Sequence, residues 1–336
     1  MSEMPTSGGS TVAYIDAIRL ALGDALAADP RVFIYGQDVA GEFGGAFKAT
    51  KGLPQRFPGR VLNAPISEDA MTGVAVGAAL AGCRPVIEFQ FADFASVAFN
   101  QIVNHLATYY WRTGRPCPAL LRLPGGGTAG GGPFHGQMPE GWLTHHPGLV
   151  VVAPSTVEDA YWMLRDGIAC DDPVIYIEHK YLYSHQKAEF SPSTTAATRL
   201  PLGAAAVRRK GYDCTLISYS SMVHTCLAAA DKLEREHGLT IEVVDLRCLR
   251  PLDTQTILAS VARTNRVVMV TEAWPYGSVA AEVLALITTE AFQHLDAPPR
   301  RMCAEDTPVP YHPDLFNAHH PDANRIVQAV LDTVAF

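Results

Sequence analysis

The stretch Val61-Leu-Asn-Ala-Pro-Ile-Ser-Glu-Asp-Ala-Met-Thr-Gly-Val-Ala-Val-Gly-Ala-Ala-Leu80, continued by Ala81-Gly-Cys-Arg-Pro-Val-Ile-Glu-Phe-Gln-Phe91, decides the fold. Val61-Leu62 reads as a brief strand, Asp69 to Leu80 as a helix of small residues, and Pro85 to Phe91 as a second strand. Gly73 and Gly77 stand four apart on that helix. They weaken it but let another backbone come close, from this chain or from a second subunit.

The same alternation continues outward. Upstream, Thr11 is a candidate N-cap for a helix whose apolar face is Tyr14, Ile15, Ile18, Leu22 and Leu26; Val32 to Tyr35 follows as a buried strand. Gly41 to Gly59 reads as an ordered loop. Downstream, Phe99, Ile102, Val103 and Leu106 stripe a helix, and the strand Ala119–Leu123 opens into a glycine-rich loop, Gly125 to Gly132. Val150–Val152, a helix from Val157 to Ile168 and Val174–Ile177 complete a first half. Periodicity is lost between Tyr183 and Leu202, then returns. Strands are expected at Cys214–Tyr219, Ile241–Val244 and Arg266–Val270, and helices at Met222–Glu236, Thr254–Ala262, Ser278–Ala291 and Ala323–Val334. The fold class is therefore α/β, with two domains of mainly parallel sheet covered by helices. The expected divisions are a flexible tail at 1–10, a first domain at 11–185, a linker at 186–202 and a second domain at 203–336.

Composition narrows the function classes. The chain has 336 residues, a net charge of −8 and no basic cluster, which argues against nucleic-acid binding. Mean hydropathy of +0.07 suggests that some surface is covered in an oligomer. No apolar run reaches a membrane span, and no leader pattern is seen. The seven cysteines are widely spaced without a C-x-x-C, as expected of reduced thiols in a cytoplasm. His145-His146 and His319-His320 lack the i, i+4 spacing of helical metal ligands, so no metal site is assigned to this chain.

Three features carry chemistry. Glu68 sits where a strand gives way to a helix N-terminus, a place that favours an anionic group, though a solvated helix-start carboxylate looks the same. Glu88-Phe-Gln-Phe-Ala-Asp-Phe94 puts polar and aromatic residues at a strand end, where parallel sheets meet ligands; an ordinary strand with alternating burial is the plainer account. His135 follows the glycine loop and can exchange protons near neutral pH; a structural loop histidine is the alternative.

A resemblance settles these alternatives. Tyr35-Gly-Gln-Asp-Val39, Gly44-Gly-Ala-Phe-Lys-Ala-Thr-Lys-Gly-Leu53, Pro65-Ile-Ser-Glu68, Gly82-Cys-Arg-Pro-Val86, Phe91-Ala-Asp-Phe94 and His146-Pro-Gly-Leu149 occur in order. Ala153-Pro-Ser-Thr156, Val243-Val-Asp-Leu-Arg247, Arg250-Pro-Leu-Asp253 and Asp306-Thr-Pro-Val-Pro310 follow. From about residue 11 to the end, the ordered set resembles the beta subunit of the decarboxylating first component of 2-oxo acid dehydrogenases, the pyruvate, branched-chain and acetoin family.

The resemblance implies a transketolase-like pyrimidine-binding domain followed by a C-terminal assembly domain. It implies thiamine diphosphate shared with an alpha subunit, in a heterotetramer of two alpha and two beta chains. Glu68 would hydrogen-bond a ring nitrogen of the aminopyrimidine, favouring the tautomer whose exocyclic nitrogen takes the thiazolium proton. Ile66, Gln90 and Phe94 would contact the pyrimidine. His135 would face the reacting centre and support acyl transfer to a lipoyl group on an acyltransferase core. The family's His-Ser-Gln reads His135-Gly136-Gln137 here, so one hydroxyl is absent. No Gly-Asp-Gly occurs, which assigns the diphosphate and Mg²⁺ to the alpha subunit. Some relatives hold potassium around the segment matching Gly167 to Pro173; Cys170 stands where a ligand aspartate is expected, leaving that ion open. The implied reaction is oxidative decarboxylation of a 2-oxo acid, pyruvate or branched-chain, with acyl transfer. Thiamine-dependent acetoin cleavage or carboligation is the alternative chemistry, which Gly136 and Trp111, Trp142 and Trp162 keep open. A non-catalytic assembly subunit is the alternative of another class, disfavoured by the presence of both Glu68 and His135.

Overall fold

A computed structural model describes residues 10–128 and 130–336. The expected tail therefore lies outside the described residues, save Ser10. The chain divides into two compact units. The first comprises residues up to Pro124 with His146–Val150 and Thr156–Leu202; the second comprises Gly125–His145, Val151–Ser155 and Gly203–Phe336.

In the first unit, neighbouring strands run in the order Val174–His179, Leu120–Gly125, Arg84–Glu88, Val32–Gly36, Val61–Asn63. Arg84–Glu88 is parallel to both Leu120–Gly125 and Val32–Gly36, and the latter is parallel to Val61–Asn63. Every residue of Val174–His179 is buried, as expected of a strand covered on both faces. The helix Glu68–Leu80 connects Val61–Asn63 to Arg84–Glu88, so the opening stretch is a strand–helix–strand crossover. The second strand stops at Glu88, three residues earlier than the apolar run suggests, and Ala92–Ser96 turns into a 3₁₀ helix.

In the second unit the order is Arg300–Met302, Val267–Val270, Cys214–Ser218, Ile241–Asp245, Ala206–Arg209. The first four are parallel; the last is antiparallel. Cys214, Leu216, Val243, Val268 and Val270 form a core with Cys226, Ala229, Ala230 and Leu233 from the helix Met222–His237, and with Ile326 and Val330 from the helix Ala323–Val334. Asp322 caps that last helix by accepting from the Arg325 N–H.

Local expectation fails where distant segments decide. Thr11 is not a cap. It lies in the strand Ser10–Ala13, which pairs antiparallel with Lys187–Phe190, and the helix Tyr14–Ala28 starts without a side-chain cap. The aperiodic stretch before Leu202 supplies that partner strand and the short helix Pro192–Thr195. There Thr195 accepts from the Trp162 indole N–H at 2.8 Å, and Arg199 lies over the Trp162 ring, so Trp162 has a structural occupation. The stripe at residues 99–106 forms a π-helix, Gln101–Leu106, which buries the expected Ile102, Val103 and Leu106. The strands Ala206–Arg209, Cys248–Arg250 and Arg300–Met302 and the helix Pro313–His319 are short and were not apparent.

Candidate active site

Gly36 pairs in register with both Asn63 and Glu88, which brings the C-terminal ends of three parallel strands to one edge. Gln37, the Ala64–Glu68 turn and Gln90 all follow directly from those ends. This is the edge at which α/β sheets bind ligands. Gly36 has no space for a side chain: a Cβ would meet the Glu88 carbonyl oxygen at 2.7 Å.

Glu68 is the first residue of the helix Glu68–Leu80 and retains 6% of its surface. The partial positive charge of the helix start favours a carboxylate there. The Gln37 side-chain amide donates to its Oε1 at 3.0 Å. Among the described residues, Oε2 has no hydrogen-bond partner. Ile66, two residues earlier, is 84% exposed, a large apolar side chain at the rim of a polar site. Gln90 is half-buried. Phe91 meets Phe94 edge-on at 5.7 Å and Phe47 at 5.6 Å, giving an aromatic cluster beside Gln90.

His135 belongs to the second unit. It is half-buried, and the exposed Phe134 ring lies 4.6 Å from its imidazole. The glycine loop before it is fixed by close approach. Gly132 has φ +68 and a Cβ there would fall 2.0 Å from the Tyr311 ring; at Gly127 it would fall 2.5 Å from Phe316. Gly127 N–H donates to Glu272, which also accepts from Ser221. At Gly136 a Cβ would sit 2.9 Å from the Gly132 carbonyl oxygen and 3.2 Å from Val309. The space of the absent serine side chain is thus occupied. Beyond the loop, Glu140 is fully buried and accepts from the Tyr219 hydroxyl at 2.6 Å; burial pushes its carboxyl up to about 8.

The potassium expectation meets a specific obstacle. Arg84 donates to the carbonyl oxygens of Ile168 and Cys170 at 3.1 and 2.8 Å and to Asp171 at 2.6 Å. A guanidinium thus already holds these oxygens, and the segment does not fit a further cation. No group of three or more His, Cys, Asp or Glu side chains suited to a metal occurs among the described residues. His146 packs on Phe99, and His319 and His320 pack on each other.

Some buried polar groups of the first unit are not evident from local sequence. Gln37 stands inside Tyr35-Gly-Gln-Asp-Val39, where nothing in the local sequence marks it as a partner of Glu68. Arg122 and Glu178 are charged residues within apolar strands, Leu-Leu-Arg-Leu and Ile-Tyr-Ile-Glu, and that misfit was the available signal.

Comparison with known proteins places this geometry in a class. Residues 10–186 match the family described as "Transketolase, pyrimidine binding domain", and residues 203–326 match "Transketolase, C-terminal domain". A solved structure titled "Split gene transketolase, inactive beta4 tetramer" superposes with a TM-score of 0.80 over 98% of this chain and 99% of its own. At 23% identity, that likeness shows the fold alone. The fold is therefore transketolase-like, in two domains.

Closer relatives narrow the class. The 2-oxoisovalerate dehydrogenase subunit beta of Bacillus subtilis is 39% identical over 97% of this chain and 100% of its own length. The 3-methyl-2-oxobutanoate dehydrogenase subunit beta of Mycobacterium tuberculosis is 44% identical over 89% of this chain and 86% of its own. The mitochondrial pyruvate dehydrogenase E1 component subunit beta-2 of Oryza sativa is 40% identical over 94% and 84%. The chain belongs to the family of beta subunits of thiamine-dependent 2-oxo acid dehydrogenases.

Proposed function

We propose that this chain, together with an alpha subunit, catalyses oxidative decarboxylation of a 2-oxo acid of the pyruvate or branched-chain type and passes the acyl group to a lipoyl domain. The observation that carries the reading is Glu68: a largely buried carboxyl at the edge of a parallel sheet, held by one donor, with its second oxygen unpartnered among the described residues. That arrangement fits the aminopyrimidine of thiamine diphosphate. One carboxyl oxygen is fixed by Gln37 and the other is left for a ring nitrogen. Ile66 and Phe94 supply apolar surface for a flat ring, and Gln90 supplies a polar side chain. When bound, thiamine diphosphate would supply a carbon nucleophile for the 2-oxo carbon and an acceptor for the electron pair left on that carbon when CO₂ departs.

Glu68 holds a proton in common with the pyrimidine and so sets its tautomer. His135 binds substrate and exchanges a proton during acyl transfer. The chain has no Gly-Asp-Gly, so the diphosphate and Mg²⁺ are assigned to the alpha subunit, in a heterotetramer of two alpha and two beta chains. The helix Glu68–Leu80 is the interface candidate, since Gly77 faces open space and Val74 is exposed. Residues 11–185 are assigned to cofactor binding and 203–336 to assembly, with a lipoyl acyltransferase core as further partner. A cytoplasmic setting is in keeping with seven cysteines that form no disulfide; no described helix is long and apolar enough to cross a membrane. The crowded Gly136 supports a second reading in which the acyl acceptor differs, as in acetoin cleavage or carboligation.

Co-expression with the alpha chain and assay against a panel of 2-oxo acids, with a lipoyl domain or acetaldehyde as acceptor, tests both readings. Lipoyl-dependent turnover of pyruvate or a branched-chain acid supports the first. Turnover with acetaldehyde alone supports the second, and no 2-oxo acid turnover contradicts both.

A further inference from the structure

Three neighbouring strands of the first unit set one ionisable side chain each on one buried patch. Glu88 pairs in register with Arg122 on the next strand, and Glu178 stands on the strand beyond. Arg122 donates through Nε and one terminal nitrogen to Glu178, and through the other to Glu88. Tyr183 donates its hydroxyl to Glu178 at 2.7 Å. Arg122, Glu178 and Glu88 retain 1%, 0% and 4% of their surface, so all three are out of solvent.

One guanidinium here faces two carboxyls. With both ionised, the trio would bury a net negative charge, which a low-dielectric interior resists. Burial pushes the Glu88 carboxyl up; Arg122 pulls it back and Glu178 adds to the rise. Glu178 has a bidentate arginine and a tyrosine, whereas Glu88 has a single nitrogen.

The other side of Glu88 touches a loop. A Cβ on Gly45 would lie 2.2 Å from Glu88 Oε1, so the backbone rests directly on the carboxyl. Gly45 has φ +80, and its N–H donates to the Asp38 carbonyl at 2.8 Å. Two residues on, Phe47 packs on Tyr183 at 5.2 Å and on Phe91 at 5.6 Å, and Phe91 packs on Phe94.

We propose that Glu88 is a positioning residue of the cofactor pocket, a joint between the Arg122–Glu178 pair and the Gly44–Lys51 loop that sets Gln90 and Phe94. It acts along two routes. Gln90 lies two residues beyond it on the same strand exit, and Phe94 is reached through Gly45, Phe47 and Phe91. An amide of the same shape keeps the contact with Gly45 and an acceptor oxygen for Arg122, so it can replace the carboxyl at the joint. The inference rests on Gln90 and Phe94 being coenzyme contacts.

The test uses the apo heterotetramer with its alpha subunit and reads two quantities. One is the calorimetric dissociation constant for Mg²⁺–thiamine diphosphate; the other is amide hydrogen exchange across residues 44–51 without coenzyme. Glu88→Ala is expected to raise both the dissociation constant and the exchange rate about tenfold. Glu88→Gln is expected to bring both back to within about threefold of wild type. Either quantity unchanged in Glu88→Ala, or Glu88→Gln behaving like Glu88→Ala, overturns the joint. If Glu88→Ala does not assemble, Phe47→Ala cuts the loop from Phe91 and leaves the buried charges in place. It must weaken coenzyme binding by a like factor, and unchanged affinity overturns the proposal. Gln90→Ala and Phe94→Ala separate this from the underlying reading. If they weaken binding while Glu88→Ala does not, only the joint fails; if they too leave affinity unchanged, the assignment of the pocket fails.

Discussion

The Gln37 side-chain amide donates to Oε1 of Glu68 at 3.0 Å across 31 residues of sequence. Gln37 follows the end of one parallel strand, and Glu68 starts the helix that follows its neighbour. The hydrogen bond fixes the carboxyl's rotation and leaves one oxygen for a ligand. Leaving a buried acceptor without its donor costs about 1–3 kcal/mol. Gln37→Ala should therefore weaken apparent thiamine diphosphate affinity by roughly tenfold in the heterotetramer. Unaltered cofactor saturation in that variant would show that Gln37 does not orient Glu68.

The divided site makes a second prediction. On the proposed reading, the chain supplies the carboxyl and aromatic side chains for a pyrimidine, and it has no Gly-Asp-Gly for a magnesium diphosphate. Calorimetry of the isolated chain should show no Mg²⁺-dependent binding of thiamine diphosphate, and addition of the alpha chain should restore it. Tight binding by the beta chain alone is the contrary result.

Glu140 sets a pH dependence. Tyr219 donates to it, Glu272 lies close enough to repel it, and Cys303 senses its charge. Burial, the largest influence, raises its folded pKa to about 8 from an ordinary 4.5. For a raised carboxyl, the stabilisation is complete below the unfolded pKa and is lost as pH climbs through the folded one. The melting temperature should fall between pH 6 and pH 8, as this carboxyl ionises near about 8. Glu140→Gln should flatten that part of the profile; an identical slope in the variant would rule Glu140 out as its source.

The sequence showed much of this because parallel sheets announce themselves. Val174–Ile177, Cys214–Tyr219 and Arg266–Val270 read as largely apolar runs between periodic helices, and each contains a strand. The crossover at residues 61–91 is legible, with its helix starting one residue earlier, at Glu68, and ending at Leu80 as read. Thr11 lies in a strand and not at a helix cap because pairing with residues 187–190 overrides a local cap preference. Glu68 was visible as a carboxyl at a helix start, but its donor was not, since 31 residues separate Gln37 from it. The Glu88–Arg122–Glu178 trio was hidden for the same reason: each charge looks out of place in its own strand, and only strand register joins them.

Hydrogen–deuterium exchange at the thiazolium carbon of bound thiamine diphosphate, compared between the wild-type heterotetramer and Glu68→Gln, reads the central carboxyl most directly. Removing a positioned acid–base partner should slow that exchange by about a hundredfold or more while the tetramer stays assembled. Exchange at the wild-type rate would contradict the assignment.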